Sequence, residues 1–427
     1  MRNFLSKPIF ISLSPNVEKD DIFLALGVIV KPWKKTKLKY SQLFEKKFKE
    51  YLGVKYAFSF NSGRSAWLGV LKALNLKEGD EVLIQAFTCN ALVNPILALG
   101  LRPVYVDIEE ETLNMDPRDL ERKISEKSRV VVVQHTFGLP ADLDKISEIC
   151  QKYNLILIED CAHSLGAEYK GRKIGTFGRA SFFSFGRDKI ISSVYGGMAV
   201  TNDPLLAESI RQYHNPLNYP GYFWIFQQLL HPVLTEYFVK PLYRFNNLGK
   251  YFLIFLQKIG ILSKGVTTKE KKGKLPRYIP KKMPDVLAIL ALNQFKKLEK
   301  FNRHRKEIAY IYQKEFKNID LIFQQDQGGR IFMRFPLIFE GKDTDKILKK
   351  LRKFKIFLDD GWRKTPIVPP DTNQKRMNYI FGMCPIAEKV IKNILNLPTH
   401  INIKKQDAEK IISRLKYFTI LRENDKK

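Results

Sequence analysis

Apolar residues follow two periods along this chain. From Tyr56 to Phe60, Gly79 to Gln85, Pro103 to Val106, Arg129 to Gln134 and Leu155 to Ile158 they come in short, nearly continuous runs, which read as strands covered on both faces. Between the runs they recur three or four positions apart, at roughly 63–74, 91–99 and 117–124, the period of amphipathic helices. The alternation predicts an α/β fold with a mostly parallel sheet in a three-layer α/β/α domain. In such sheets ligands bind beyond the carboxyl ends of the strands, so the polar residues after each run carry the functional information. Upstream, residues 1–55 read as helical and basic. Tyr40–Leu52 puts Leu43, Phe44, Phe48, Tyr51 and Leu52 on one face, and Gly53 ends the helix. Downstream, Leu287, Leu290, Ala291, Gln294, Phe295 and Leu298 keep helical register in one long helix from Met283 to Phe316. A strand at Arg330–Ile338 and helices near 343–354 and 405–417 then predict a smaller C-terminal α/β domain. The expected division is 1–210 for the N-terminal segment and large domain, 211–282 for an insertion, and 283–427 for the linking helix and small domain.

With 427 residues, 44% of them hydrophobic and 12% aromatic, the chain can bury a large core. Its four cysteines, Cys89, Cys150, Cys161 and Cys384, show no CxxC pairing, which points to a reducing cytoplasm without disulfides or structural zinc, and no metal site is expected. No signal peptide is evident in Met1–Lys7. The formal net charge of +29 is the one compositional oddity and implies attraction to something anionic. No zinc-finger spacing, RNA-binding aromatic signature or GxxxxGK loop accompanies it, so specific nucleic-acid binding is not expected.

Three polar features lie where ligands belong. The turn Asn61-Ser62-Gly63-Arg64-Ser65-Ala66 feeds a helix N-terminus, whose N–H groups and dipole suit a phosphate; a plain capped turn is the alternative. Asp160 and His163 follow the strand Leu155–Ile158, as a ligand carboxylate and imidazole, or as a helix cap and a packing histidine. Lys189 ends the aromatic strand Ser181–Phe185 through a short polar turn, where partial desolvation would free its amine as a nucleophile; an ordinary loop lysine is the alternative. In this order the three are the parts that pyridoxal phosphate requires: a phosphate site, a carboxylate for its ring nitrogen and a lysine for its aldehyde.

The sequence also resembles the DegT-type (DegT/DnrJ/StrS) sugar aminotransferases of the fold-type I pyridoxal-phosphate class. The likeness rests on Ser62-Gly63, Gly79-Asp80-Glu81-Val82, Gly138-Leu139-Pro140-Ala141-Asp142, Glu159-Asp160-Cys161-Ala162-His163-Ser164-Leu165-Gly166-Ala167, Phe183-Ser184-Phe185, Lys189 and Gly196-Gly197. The resemblance implies that Lys189 is the Schiff-base lysine and proton shuttle, that Asp160 pairs with the ring nitrogen and that His163 lies against the ring or near its phenolic oxygen. Ser184, with groups of Gly63, Arg64 and Ser65, would hold the phosphate. It further implies a homodimer, an amino-acid donor such as glutamate and a nucleotide-sugar acceptor. Three departures stand out. Cys89 occupies a position where the family usually has an aromatic residue on the cofactor, Arg64 stands where it usually has threonine, and Pro280-Lys281-Lys282-Met283 lacks the usual asparagine that reaches across from the partner subunit. Lys281 or Lys282 is the expected replacement. A pyridoxamine-phosphate-dependent dehydratase and a non-catalytic membrane-surface protein are the alternative functions on the same fold.

Residues 211–282 depart from an ordinary aminotransferase, with 13 Lys+Arg against two Glu amid many aromatics. The prolines and glutamines of 212–235 break the one long uncharged run, so no membrane-spanning helix is predicted. The segment either packs on the protein or its dimer partner, or lies on a membrane surface at the inner face. Its Lys264–Lys274 part reads as a mobile loop of solvated charge, and Arg187 and Asp188 as a mutual pair or a turn cap.

Overall fold

The apolar runs form the centre of a seven-stranded sheet. In a computed structural model, which describes residues 7–30, 39–245, 247–317 and 329–420, its strands are β1 (Tyr56–Phe60), β2 (Glu81–Gln85), β3 (Arg102–Val106), β4 (Ser128–Gln134), β5 (Ile156–Asp160), β6 (Ala180–Ser184) and β7 (Gly197–Thr201). They lie in the order β1-β7-β6-β5-β4-β2-β3. Pairings from β6 across to β3 are parallel, while β7 runs antiparallel to both β6 and β1. Helices cover both faces, so Val130–Val133 of β4 are fully buried in two separate core clusters. The α/β fold with a mostly parallel sheet is as expected. β7 is not among the strands predicted from the sequence, its apolar run being limited to Met198–Val200.

The helices of the described residues include α1 (Lys19–Val30), α2 (Tyr40–Leu52), α3 (Gly63–Ala73), α4 (Tyr222–Leu234), α5 (Leu248–Lys258), α6 (Asp285–Phe295), α7 (Leu298–Phe316) and α8 (Lys405–Ile420). The expected basic, helical N-terminal stretch is confined to α1 and α2, with Ile9–Phe10 a short strand; its parts at 1–6 and 31–38 lie outside the described residues. The long helix expected from Met283 to Phe316 is two helices. They meet at Lys297, whose backbone leaves helical geometry (φ −99°, ψ 1°) and whose ammonium is held by Asp20 and Asp21 of α1 at 2.9 and 3.0 Å.

In the C-terminal part, β8 (Arg334–Ile338) pairs antiparallel with β9 (Ile394–Pro398), and α7 and α8 pack on this pair around Phe335, Leu337 and Leu397. The strand starts four residues later than its sequence suggests. Ile331 and Met333 instead donate their N–H groups to Gly138 and Phe137, at 3.2 and 2.9 Å, which joins this part to the loop after β4.

Helix α2 holds the strand that leads to Lys189. Phe44 sits edge-on to Phe185 at 5.0 Å and Phe48 edge-on to Phe183 at 4.9 Å, and all four rings are fully buried. Leu43, assigned to the same face by its spacing, is 39% exposed, since it stands at the edge of the stripe. Phe48→Ala therefore destabilises the protein by about 3–5 kcal/mol in urea unfolding, whereas Leu43→Ala costs under about 1 kcal/mol. Similar losses at both positions would contradict this packing.

Candidate active site

At the carboxyl ends of β5 and β6 lies a cavity of about 370 Å³. Gly63, Arg64, Cys89, Asp160, His163, Ser184 and Lys189 all line it, so residues far apart in the sequence converge on one space. Ser65 does not line it. Its hydroxyl donates to Asn61 Oδ1 (2.6 Å), its N–H donates to Ser62 Oγ (3.1 Å), and it is fully buried. Ser62 faces the cavity in its place while capping α3, so the turn is capped and also open to a ligand.

Lys189 sits on a tight turn, its N–H donating to Gly186 O at 3.2 Å. Two side chains that no sequence motif singled out fix the backbone beyond it. Asn16 donates through Nδ2 to the carbonyls of Lys189 and Ile190, and Arg305 donates through Nη2 to Ile190 O (3.0 Å) and Asn16 Oδ1 (2.7 Å). Arg305 is 1% exposed. The one available signal was its register with the buried Phe301, Asn302, Ile308 and Ala309 on the inner face of α7, an odd position for a cation.

Arg187 and Asp188 do not pair with each other. Arg187 donates to Ser263 O (2.9 Å) and Gln228 Oε1 (3.2 Å), while Asp188 accepts from Arg334 Nη2 at 3.1 Å. Burial works against its charge, but Lys189 and Arg334 together hold the Asp188 carboxyl below its usual value. Arg64 forms an ion pair with Glu270 and donates to Gly265 O at 3.3 Å. Glu270 is completely buried and also accepts from Thr267 N–H and Oγ1, both at 2.7 Å. The expected mobile loop at 264–274 is thus anchored at the cavity through its one carboxylate, while Lys269 and Lys274 stay in solvent.

Asp160 is 7% exposed and accepts from Ala162 N–H at 2.9 Å. Burial pushes its carboxyl up to about 6, against the pull of that hydrogen bond and of Lys189. His163 stacks on Phe137 (5.7 Å, 13°) and meets Trp362 edge-on at 4.9 Å. Burial, with Lys189 and Arg334 nearby, keeps it well below its ordinary pKa and so neutral. Its Nδ1 has no hydrogen-bond partner among the described residues. Cys89 caps the helix Asn90–Ala98, its sulfur accepting from Ala91 N–H at 3.5 Å, and burial raises its thiol pKa. Lys282 donates to Asn215 O at 2.7 Å within its own chain. His135, Glu159 and Cys161 lie close enough to suggest a metal, but Glu159 already accepts from the N–H groups of Gly175, Phe177 and Gly178 and His135 Nδ1 from Ala141 N–H. That cluster shapes the 175–178 loop.

The sequence model of the DegT/DnrJ/EryC1/StrS aminotransferase family matches residues 17–218 and 254–416. The chain belongs to this family. Its members depend on pyridoxal phosphate, and the chain is accordingly a pyridoxal-phosphate-dependent aminotransferase, as its resemblance implied. The chain is 28% identical over 387 residues to the GDP-perosamine synthase of Escherichia coli O157:H7, covering 90% of this chain and 92% of that protein. Its fold is that of Helicobacter pylori PseC, an aminotransferase involved in the biosynthesis of pseudoaminic acid (TM-score 0.73, 23% identity, 97% and 99% of the two chains). The Escherichia coli GDP-4-keto-6-deoxy-D-mannose-3-dehydratase shares it too (TM-score 0.70, 21% identity, 96% and 99%). Residues 219–253, between the two matched stretches, fall inside the insertion expected at 211–282.

The raised Asp160 carboxyl has a consequence for stability. An acid whose pKa is about 6 when folded, against 3.8 as the ordinary value, binds more protons in the folded state between those two values, so its ionisation destabilises the fold as pH rises through that window. The shift corresponds to about 3 kcal/mol. Cofactor-free Asp160→Asn is therefore more stable than the wild type above pH ~6, with the gap closing toward pH ~4. Urea unfolding across that range checks it, and a gap independent of pH would contradict it.

Proposed function

We propose that this enzyme moves an amino group from an amino acid, glutamate being the expected donor, to a keto carbon of a nucleotide-activated sugar. The observation that carries the proposal is the convergence of Lys189, the desolvated Asp160 and the N-terminus of α3 on one cavity. The donor set fits pyridoxal phosphate. A Cβ on Gly63 would stand 2.8 Å from Ser184 Cβ, and one on Gly197 would stand 2.3 Å from the Ser62 carbonyl carbon. The absence of both side chains lets the start of α3 lie directly against Ser184, which leaves a phosphate to meet a hydroxyl and the positive helix end.

When bound, pyridoxal phosphate supplies an electron sink at the carbon that gains or loses the amine. Asp160 carries the opposite charge for a protonated ring nitrogen, and such a partner would return its carboxyl to the ionised form. Lys189 Nζ would hold the cofactor through its amine and would carry the proton to and from the substrate carbon. The Asn16 and Arg305 contacts fix the backbone from which that side chain projects. Neutral His163 would lie beside the cofactor, with its Nδ1 unpartnered among the described residues and Phe137 and Trp362 fixing its plane. Gly63, Arg64, Cys89 and Ser184 would complete the cofactor's surroundings, with the charge of Arg64 offset by its ion pair with Glu270. The working form is a homodimer. Because Lys282 is engaged by Asn215 of its own chain, Lys281 is the better candidate to reach a partner's phosphate site.

The lysine at position 189 favours transfer over dehydration, since related dehydratases typically carry histidine there. Incubating the enzyme with glutamate and a panel of nucleotide ketosugars should give 2-oxoglutarate and the amino sugar in equal amounts by mass spectrometry, and Lys189→Ala should lower the rate by ~10²–10⁴-fold or more. A deoxygenated ketosugar with no amino sugar formed would assign the enzyme to dehydration instead.

A further inference from the structure

The 219–253 interval builds a helical hairpin from α4, a π-helical turn at Thr235–Val239, a short helix at Lys240–Leu242 and the start of α5. Pro232, expected to break this run, sits inside α4. One side of the hairpin is internal. Leu229 and Val233 join the main core, while Val239, Tyr243 and Leu256 pack with Phe10.

The other side is apolar too, yet bare. Along α5, Leu248, Tyr251, Phe255 and Ile259 recur every three or four residues, flanked by Ile254, and all are exposed, so they share one face. Tyr222 on α4 is 93% exposed and Phe245, just before α5, is 62% exposed. Of 23 exposed large apolar side chains among the described residues, 13 fall within 219–261. Concentration in a tenth of the chain marks a contact surface.

Charge selects the partner. Of the 13 Lys+Arg and two Glu in 211–282, both carboxylates are consumed internally, Glu236 by Lys240 and Glu270 by Arg64. Arg244, Lys250 and Lys258, which stand among the bare aromatics, are exposed. A second copy meeting this face about a twofold axis would set like charges against one another. An anionic lipid surface matches both features, because aromatic rings favour the boundary between headgroups and acyl chains while Lys and Arg meet lipid phosphates. No helix among the described residues is long and apolar enough to cross a membrane, which makes the contact interfacial.

We infer that the exposed aromatic and cationic face of residues 222–261 docks this enzyme on an anionic membrane surface. The inner flank of α5 supplies Leu253 and Gln257 to the cavity wall, and α4 supplies His231. One helix thus faces lipid on one side and the cavity on the other. Docking ties the cavity to the bilayer, whatever sugar is used there.

Flotation of the full-length protein with lipid vesicles tests this directly. At low salt the wild type should rise with phosphatidylglycerol-containing vesicles, stay below with pure phosphatidylcholine, and be released at high salt. Tyr251→Ser/Phe255→Ser and Lys250→Glu/Lys258→Glu should each weaken binding at least ~10-fold with unchanged circular dichroism. A wild type that stays below with both vesicle types at low salt would overturn the inference. So would equal binding by the wild type and both variants, or a change of mass by light scattering in the aromatic variant without wild-type flotation, which would give the face to a second copy.

Discussion

The backbone just past Lys189 is held by a buried guanidinium. Arg305 of α7 and Asn16 from the N-terminal segment share the carbonyls of Lys189 and Ile190, and Arg305 also donates to Asn302, whose own amide donates to Leu165 O at 3.1 Å. One helix therefore grips both loops that deliver the site's chemistry, the Lys189 turn and the turn after Asp160. Removing a charge from water is costly. Here the cost is offset by hydrogen bonds from the guanidinium to Ile190 O and to the side-chain oxygens of Asn16 and Asn302. Phe44 and Phe48 brace the same strand from its other side, so the lysine projects from a turn fixed at both ends.

The second organising feature is the way the insertion meets this shared framework. Arg187, next to Asp188 on the lysine's own turn, donates to Gln228 of α4 and to Ser263 beyond α5. Arg64, at the start of α3, reaches Glu270 and Gly265. Tyr195 lies within cation–π distance of both guanidinium groups (5.6 and 5.4 Å) and donates to Lys264 O. Burial would raise its phenol, but the two cations hold it below its usual value. The unusual arginine at position 64 thus has its structural partner in the 264–274 loop that follows the hairpin.

Much of this was legible in the sequence. The apolar runs marked the strands of the parallel sheet, and the polar residues after them, Asp160, His163 and Lys189, do share a cavity. What the sequence hid were the partners of charges. Nothing local to Arg187, Asp188 or Glu270 indicates Ser263, Arg334 or Arg64, since each pairing joins segments distant along the chain. Local periodicity also overran the break at Lys297, where ion pairs with α1 accompany the end of one helix and the start of the next, and it placed Leu43 on a face that the core does not reach. Ser65 was expected at the cavity with Gly63 and Arg64, but its hydrogen bonds to Asn61 and Ser62 turn it inward.

The proposed chemistry depends on Lys189 being the amine that holds the cofactor among 73 Lys and Arg residues. Borohydride reduction of the holoenzyme and peptide mass mapping test this most directly. The expected result is one pyridoxyl group on the peptide containing Lys189. A stoichiometric label on another lysine, with Lys189 unmodified, would contradict it.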